Sequence, residues 1–162
     1  GVIIGLGGVA NHAHLSLPKS AAGYQSRLVC AQQFCAVTAA CLLIKRDAFL
    51  KVGGLDEANL KVAFNDVDLC LKLHHAGLEN IWTPHARLLH HESASRGTED
   101  TPQKKARFEK EVHFMMQTYA LESFIDPHYS PHLALAGESF SITRTIHPNL
   151  DISADEHASK NS

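Results

Sequence analysis

The sequence predicts an α/β fold of short strands and amphipathic helices, on three observations. Apolar strand-like runs at residues 1–4 and 36–44 alternate with helical patterns. Val67, Cys70, Leu71 and His74 fall at i, i+3, i+4 and i+7, so residues 65–76 read as a helix with one largely apolar face. Thr101-Pro102, a capping residue followed by proline at the first helical position, opens a C-terminal amphipathic helix.

Taken in order, residues 1–4 read as a strand. The next stretch, GLGGVANHAHLSLPKSAAG, is rich in Gly, His, Ser and Pro and reads as a long surface loop. Residues 24–34 read as a short helix. Residues 36–44, AVTAACLLI, read as a buried strand that expects cover on both faces. A brief helix over 47–52 stops at Gly53-Gly54. Asn65 or Asp66 can cap the helix over 65–76, and Gly77 closes it. Two short strands, 78–82 and 86–90, flank Thr83-Pro84. The last helix carries Phe108, Val112, Met115, Met116 and Tyr119 on one face, a core-packing pattern. Residues 1–142 read as one partial domain, and 143–162 as a polar, disordered tail.

Composition narrows the function. With 162 residues the chain can bury a real core, and a net charge of −2 gives no basic excess to neutralise nucleic acid. No apolar run reaches the ~20 residues that cross a bilayer. The start, GVIIGLGGVA, lacks the basic flank of a signal peptide and reads as a strand cut from a longer protein. Four cysteines, Cys30, Cys35, Cys41 and Cys70, show no zinc-ribbon spacing. Cys41 and Cys70 sit in apolar periodic segments and read as buried free thiols, which suits a reducing, cytoplasmic compartment.

The chemistry-bearing residues concentrate between Phe64 and Arg96. Asp66 and Asp68 stand at the mouth of the second helix. Acidic residues there suit the helix dipole, yet one of them can also serve as a general base facing a cleft. Positions i and i+2 diverge on a helix, so the two carboxylates divide their roles. His90 and His91 end an apolar run, and neighbouring strand residues point to opposite faces, so one of the pair enters any given site. Together with His12 and His14 they match no familiar zinc spacing. Ser93 to Arg96 is hydroxyl-rich, with one guanidinium suited to a phosphate.

The runs VTAACLLIKRDAFLKVGGLDE, FNDVDLCLKLHHAG and HHESASRGTEDTPQKKARFEKEV, in this order, resemble the family 2 glycosyltransferases. GGVANHAH resembles their acceptor-side loop, and IDPHYSPHLALAGESFSI resembles the segment after their last helix. The similarity is greatest to the group that makes bacterial O-antigen and other cell-envelope polysaccharides. It implies the C-terminal part of a GT-A, Rossmann-like domain with one mixed sheet. It also implies an inverting transfer from a nucleotide-sugar donor to a glycan or lipid-linked acceptor.

Carried over by residue, the resemblance makes Asp66 the catalytic base and His90 a metal ligand, with His91 the alternative. Asn65, Asp68, Ser95, Arg96, His12 and His14 become substrate-binding positions. The implied cofactor is a divalent cation, Mn²⁺ or Mg²⁺. The family's metal-binding Asp-x-Asp falls upstream of Gly1, so the expected partner is the missing nucleotide-binding half of the same domain. The fragment alone is then expected to be inactive. The full-length protein is expected in the cytoplasm, with peripheral association at the inner face of the membrane. Two rival readings stand beside this one: a non-catalytic glycan- or partner-binding module, and a His-rich metal-binding domain.

Overall fold

In the computed structural model, residues 1–88 and 101–143 are described. Among them the order is β1 (Val2–Ile4), β2 (Ala10–His12), β3 (Gln32–Phe34), α1 (Arg46–Lys51), α2 (Asn65–His75), β4 (Asn80–Trp82) and α3 (Pro102–Thr118). The architecture is α/β. The strands form two antiparallel pairs, β1 with β2 and β3 with β4. An N–H from Val2 to the carbonyl of Ala36, 2.9 Å, ties the first pair to the chain leaving β3.

β1 is buried along its whole length because each face has its own cover. Val2 and Ile4 join the main core with Phe34, Leu71 and Met115, whereas Ile3 turns to a smaller cluster with Leu6 and Tyr129. Its hairpin partner β2 lies inside the stretch expected to be loop, with Ile4 opposite Ala10 and Val2 opposite His12. Ala-Asn-His is a poor strand sequence. It is recruited by the free edge of β1 across a tight turn in which Gly5 and Gly8 take φ of 84° and 115°.

The helix expected over 24–34 does not form. A distorted 3₁₀ turn, Tyr24–Val29, holds Gln25 and Ser26 at φ of 46° and 62°, which no α-helix accommodates. The chain then enters β3, which pairs Gln32 with Trp82 and Phe34 with Asn80. The buried strand expected over 36–44 is also corrected. Ala36 and Val37 are buried, but Thr38 then caps a 3₁₀ turn at Ala39–Cys41 by accepting the N–H of Ala40. Beyond it Leu43 is 98% exposed, and the Cys41 thiol is exposed rather than buried. Cys70 is buried as expected.

α1 ends at the expected glycine pair. Gly54, at φ 65°, donates to the carbonyl of Phe49 and lies against that residue's ring. α2 sits at the centre of the fold, burying Val67, Leu69, Cys70, Leu71 and Leu73 on more than one face. It closes at Gly77, φ 78°, with Leu78 donating to the carbonyl of Leu73. Asn80 then staples β3 to α2, since its side-chain amide donates to the carbonyls of Cys35 and Cys70. Residues 86–88 are not strand, and the rest of the strand expected over 86–90 lies outside the described residues. The tail expected from 143 also lies outside them from residue 144 onward.

α3 starts as expected at Thr101, whose hydroxyl accepts the N–H of Lys104. Met115 is fully buried, whereas Phe108 stays partly exposed beside Phe64. Glu111 is the unexpected member of the buried face. Its carboxylate accepts the N–H groups of Val62 and Ala63, at 3.0 and 3.1 Å, and so fixes the approach to α2. No helix among the described residues is long and apolar enough to cross a membrane.

Candidate functional site

Asp66 occupies the first turn of α2, where the chain enters through Phe64 in the left-handed conformation, φ 60°. Phe64 takes the cap position and makes no side-chain cap bond, so neither Asn65 nor Asp66 is the cap residue itself. Asn65 is the first helical residue, and both it and Asp66 are partly exposed. The Asp66 carboxylate accepts the N–H of Val67 through Oδ1 and that of Ala39 through Oδ2, each at 3.0 Å. The second bond fastens the Thr38 turn to the mouth of α2, so the irregular course of residues 36–44 is what orients Asp66.

Asp68 points into the protein. It is 1% exposed, accepts the Tyr119 hydroxyl at 2.6 Å and lies 2.7 Å from the Lys72 ammonium. Burial first, and then this bond to a carboxylate, raise the Tyr119 phenol well above its usual range. The two carboxylates therefore part as their spacing requires, Asp66 outward and Asp68 inward. Asp68, expected among the substrate-binding positions, is enclosed by α3 and its own helix.

His12 and His14 lie at the end of the β1–β2 hairpin. His12 is exposed on β2. The His14 ring stacks on Phe140 with centroids 4.4 Å apart, and its Nε2 accepts the N–H of Tyr24. Burial first, and the Arg27 guanidinium as well, hold its imidazole below the ordinary value of 6.5. A cleft of about 400 Å³ is lined by His14, Tyr24, Glu138, Ser139 and Phe140. A second cleft, about 490 Å³, runs along Arg27, Gln32, Asp126, His128 and Tyr129. Asp66 lines neither of these. His90, His91, Ser95 and Arg96 lie outside the described residues.

A third constellation comes from residues that no sequence motif joins. Cys35 follows β3, His74 is in the last turn of α2, and His128 lies in the segment after α3. Their potential ligand atoms all fall within 4.8 Å of one another, an arrangement that could hold a metal ion. Asp126 braces this group by accepting the N–H of His128 at 2.8 Å and that of Ile4 at 3.0 Å. The Cys35 thiol is pushed up strongly, first by burial and then by the Asp126 carboxylate beside it. The one local signal was Asp126-Pro127-His128, an Asx turn that presents a histidine.

No protein-family model matches the chain, and no solved structure matches it. Over 143 residues, 88% of the chain, it is 57% identical to the uncharacterised protein y4gI of Sinorhizobium fredii, of which the match covers 16%. Over 153 residues, 91% of the chain, it is 32% identical to the O-antigen biosynthesis protein RfbC of Myxococcus xanthus, of which the match covers 11%. Over 61 residues, 38% of the chain, it is 41% identical to the N-acetylglucosaminyl-diphospho-decaprenol L-rhamnosyltransferase of Mycobacterium tuberculosis, covering 20% of that protein. The chain is thus related to glycosyltransferase-like sequences, and it spans a fifth or less of the length of these relatives.

Proposed function

We propose that the chain is the acceptor-side part of an inverting family 2 glycosyltransferase of the GT-A kind. Its reaction moves a sugar from a nucleotide-sugar donor to a glycan or lipid-linked acceptor in cell-envelope polysaccharide synthesis. One observation carries this reading. A carboxylate held outward at the start of a buried helix, Asp66, belongs to a chain 32% identical over 91% of its length to an O-antigen biosynthesis protein.

Asp66 takes the proton of the acceptor hydroxyl as its oxygen attacks the anomeric carbon. One C–O bond forms on the face opposite the leaving nucleoside diphosphate while the donor's C–O bond breaks, so the configuration inverts. The N–H groups of Ala39 and Val67 aim the carboxylate, and each oxygen keeps lone-pair capacity for the incoming proton. Asp68, Lys72 and Tyr119 act behind it, as the brace that keeps the first turn of α2 in place. Asn65, His12, His14, Ser95 and Arg96 are the proposed substrate contacts, and the nucleotide-binding half is proposed to lie elsewhere in the full-length protein.

The resemblance calls for Mn²⁺ or Mg²⁺ at His90, with His91 as the alternative. The described Cys35–His74–His128 group does not fit that ion, because sulfur and imidazole donors suit softer metals than one clamped on a diphosphate. No step of the mechanism is therefore routed through it.

The test is a donor screen on the longest protein that the coding sequence specifies. Nucleotide sugars are offered with lipid-linked and free glycan acceptors, and products are read by mass spectrometry and NMR. The reading expects transfer from a restricted donor set with inverted anomeric configuration. A retained configuration contradicts it, and glycan binding without transfer from any donor favours a non-catalytic module.

A further inference from the structure

We propose that Cys35, His74 and His128 form a zinc site that clamps β3, the C-terminal end of α2 and the segment after α3 to one another. The proposal is independent of the transferase reading, and none of the three residues has a part in it.

The geometry carries the inference. Three ligand atoms from positions 35, 74 and 128 converge within 4.8 Å, which is a short contraction away from tetrahedral zinc. Zinc–sulfur bonds of about 2.3 Å and zinc–nitrogen bonds of about 2.0 Å place neighbouring ligand atoms roughly 3.5 Å apart. The two imidazoles already meet edge to face, with centroids 6.3 Å apart.

The donor types choose the metal. One thiolate with two neutral imidazoles is a borderline-soft set that suits zinc and disfavours calcium or magnesium. Cys35 is 0% exposed, so its sulfur is shielded from competing thiols and oxidants. His74 and His128 are partly exposed, and His128 lines the cleft of about 490 Å³, which gives an ion a route in. Three protein ligands leave the fourth zinc position to water or to a group entering that cleft.

The surroundings are those of a supported site. Asp126 fixes the backbone of His128 and of Ile4 by accepting both N–H groups. On binding, the thiol proton leaves to solvent and the Zn–S bond takes its place. The site adds a link to the segment after α3, which also meets the core through Leu121 and the Tyr129 cluster.

The test uses the whole chain, freed of metal with chelator and titrated with zinc in competition with a chromophoric chelator. Cobalt is then substituted to read sulfur-to-metal charge transfer. The expected result is one tightly held zinc per chain, a rise in Tm on loading, and a cobalt spectrum with a thiolate band. His128→Asn and His74→Asn, both at partly exposed positions, should fold and lose at least tenfold in zinc affinity. Cys35→Ser should lose the thiolate band, and His113→Asn, at an exposed position of α3, should leave zinc affinity unchanged. Zinc binding that survives His128→Asn and His74→Asn overturns the proposal, as does a cobalt complex without sulfur ligation.

Discussion

The Tyr119 hydroxyl stands 2.6 Å from the Asp68 carboxylate, a bond that ties the C-terminal end of α3 to the first turn of α2. Lys72, one turn along α2, completes the enclosure from the other side. This pairing frees Asp66 for an outward role, because the inward carboxylate position is already taken. Tyr119→Phe leaves a buried carboxylate short of a donor and should cost about 1–3 kcal/mol. Urea unfolding of wild type and variant checks this, and an unchanged midpoint speaks against the brace.

Glu111 should matter comparably, although it lies far from Asp66 in sequence. Its carboxylate accepts two backbone N–H groups in the segment that leads into α2. Glu111→Ala should destabilise the fold by about 1.5–3 kcal/mol, the scale of a lost charge-assisted bond. Hydrogen exchange at Val62 and Ala63 should accelerate in the variant. Unaltered protection there would separate Glu111 from the approach to α2.

Gly54 tests the stop of α1. A Cβ at this position would stand 2.8 Å from the Phe49 ring, and the backbone is left-handed. Gly54→Ala should therefore cost about 1–2 kcal/mol from the left-handed strain, with the ring contact adding to it. A Tm equal to that of wild type would contradict this.

The hairpin end should respond to acid. His14 is depressed below 6.5 by burial first, so the unfolded chain binds its proton more readily than the folded one. The stability it contributes is complete above pH 6.5 and is lost as pH falls through the lower folded value. Proton NMR should place the His14 titration below 6.5, and the Tyr24 N–H resonance should shift with it as the Nε2 acceptor is protonated.

The helices were the legible part of this sequence. α2 and α3 announce themselves through apolar spacing, a Thr-Pro start and a Gly stop, all local signals. β2 and β3 do not, because Ala-Asn-His and Gln-Gln-Phe become strands only through partners at residues 2–4 and 80–82. AVTAACLLI misleads for the opposite reason. Its apolar character promises a strand, but the Thr38 hydroxyl and the Asp66 carboxylate turn it aside. The place of Asp66 in the first turn of α2 was readable from the helical pattern that follows it. Cys35, His74 and His128 were not, since only the packing of three separate elements brings them together.

The measurement that bears most directly on the account is the turnover of Asp66→Asn in the full-length protein with its preferred donor. The single amide oxygen can still accept one of the two N–H groups, of Ala39 or Val67, so the circular dichroism spectrum should match wild type while Tm falls modestly with the bond that is lost. It cannot take a proton from the acceptor hydroxyl, so kcat should fall by roughly 10²–10⁴-fold with KM for the donor little changed. A folded Asp66→Asn enzyme that turns over at the wild-type rate would contradict the assignment of Asp66 as the base.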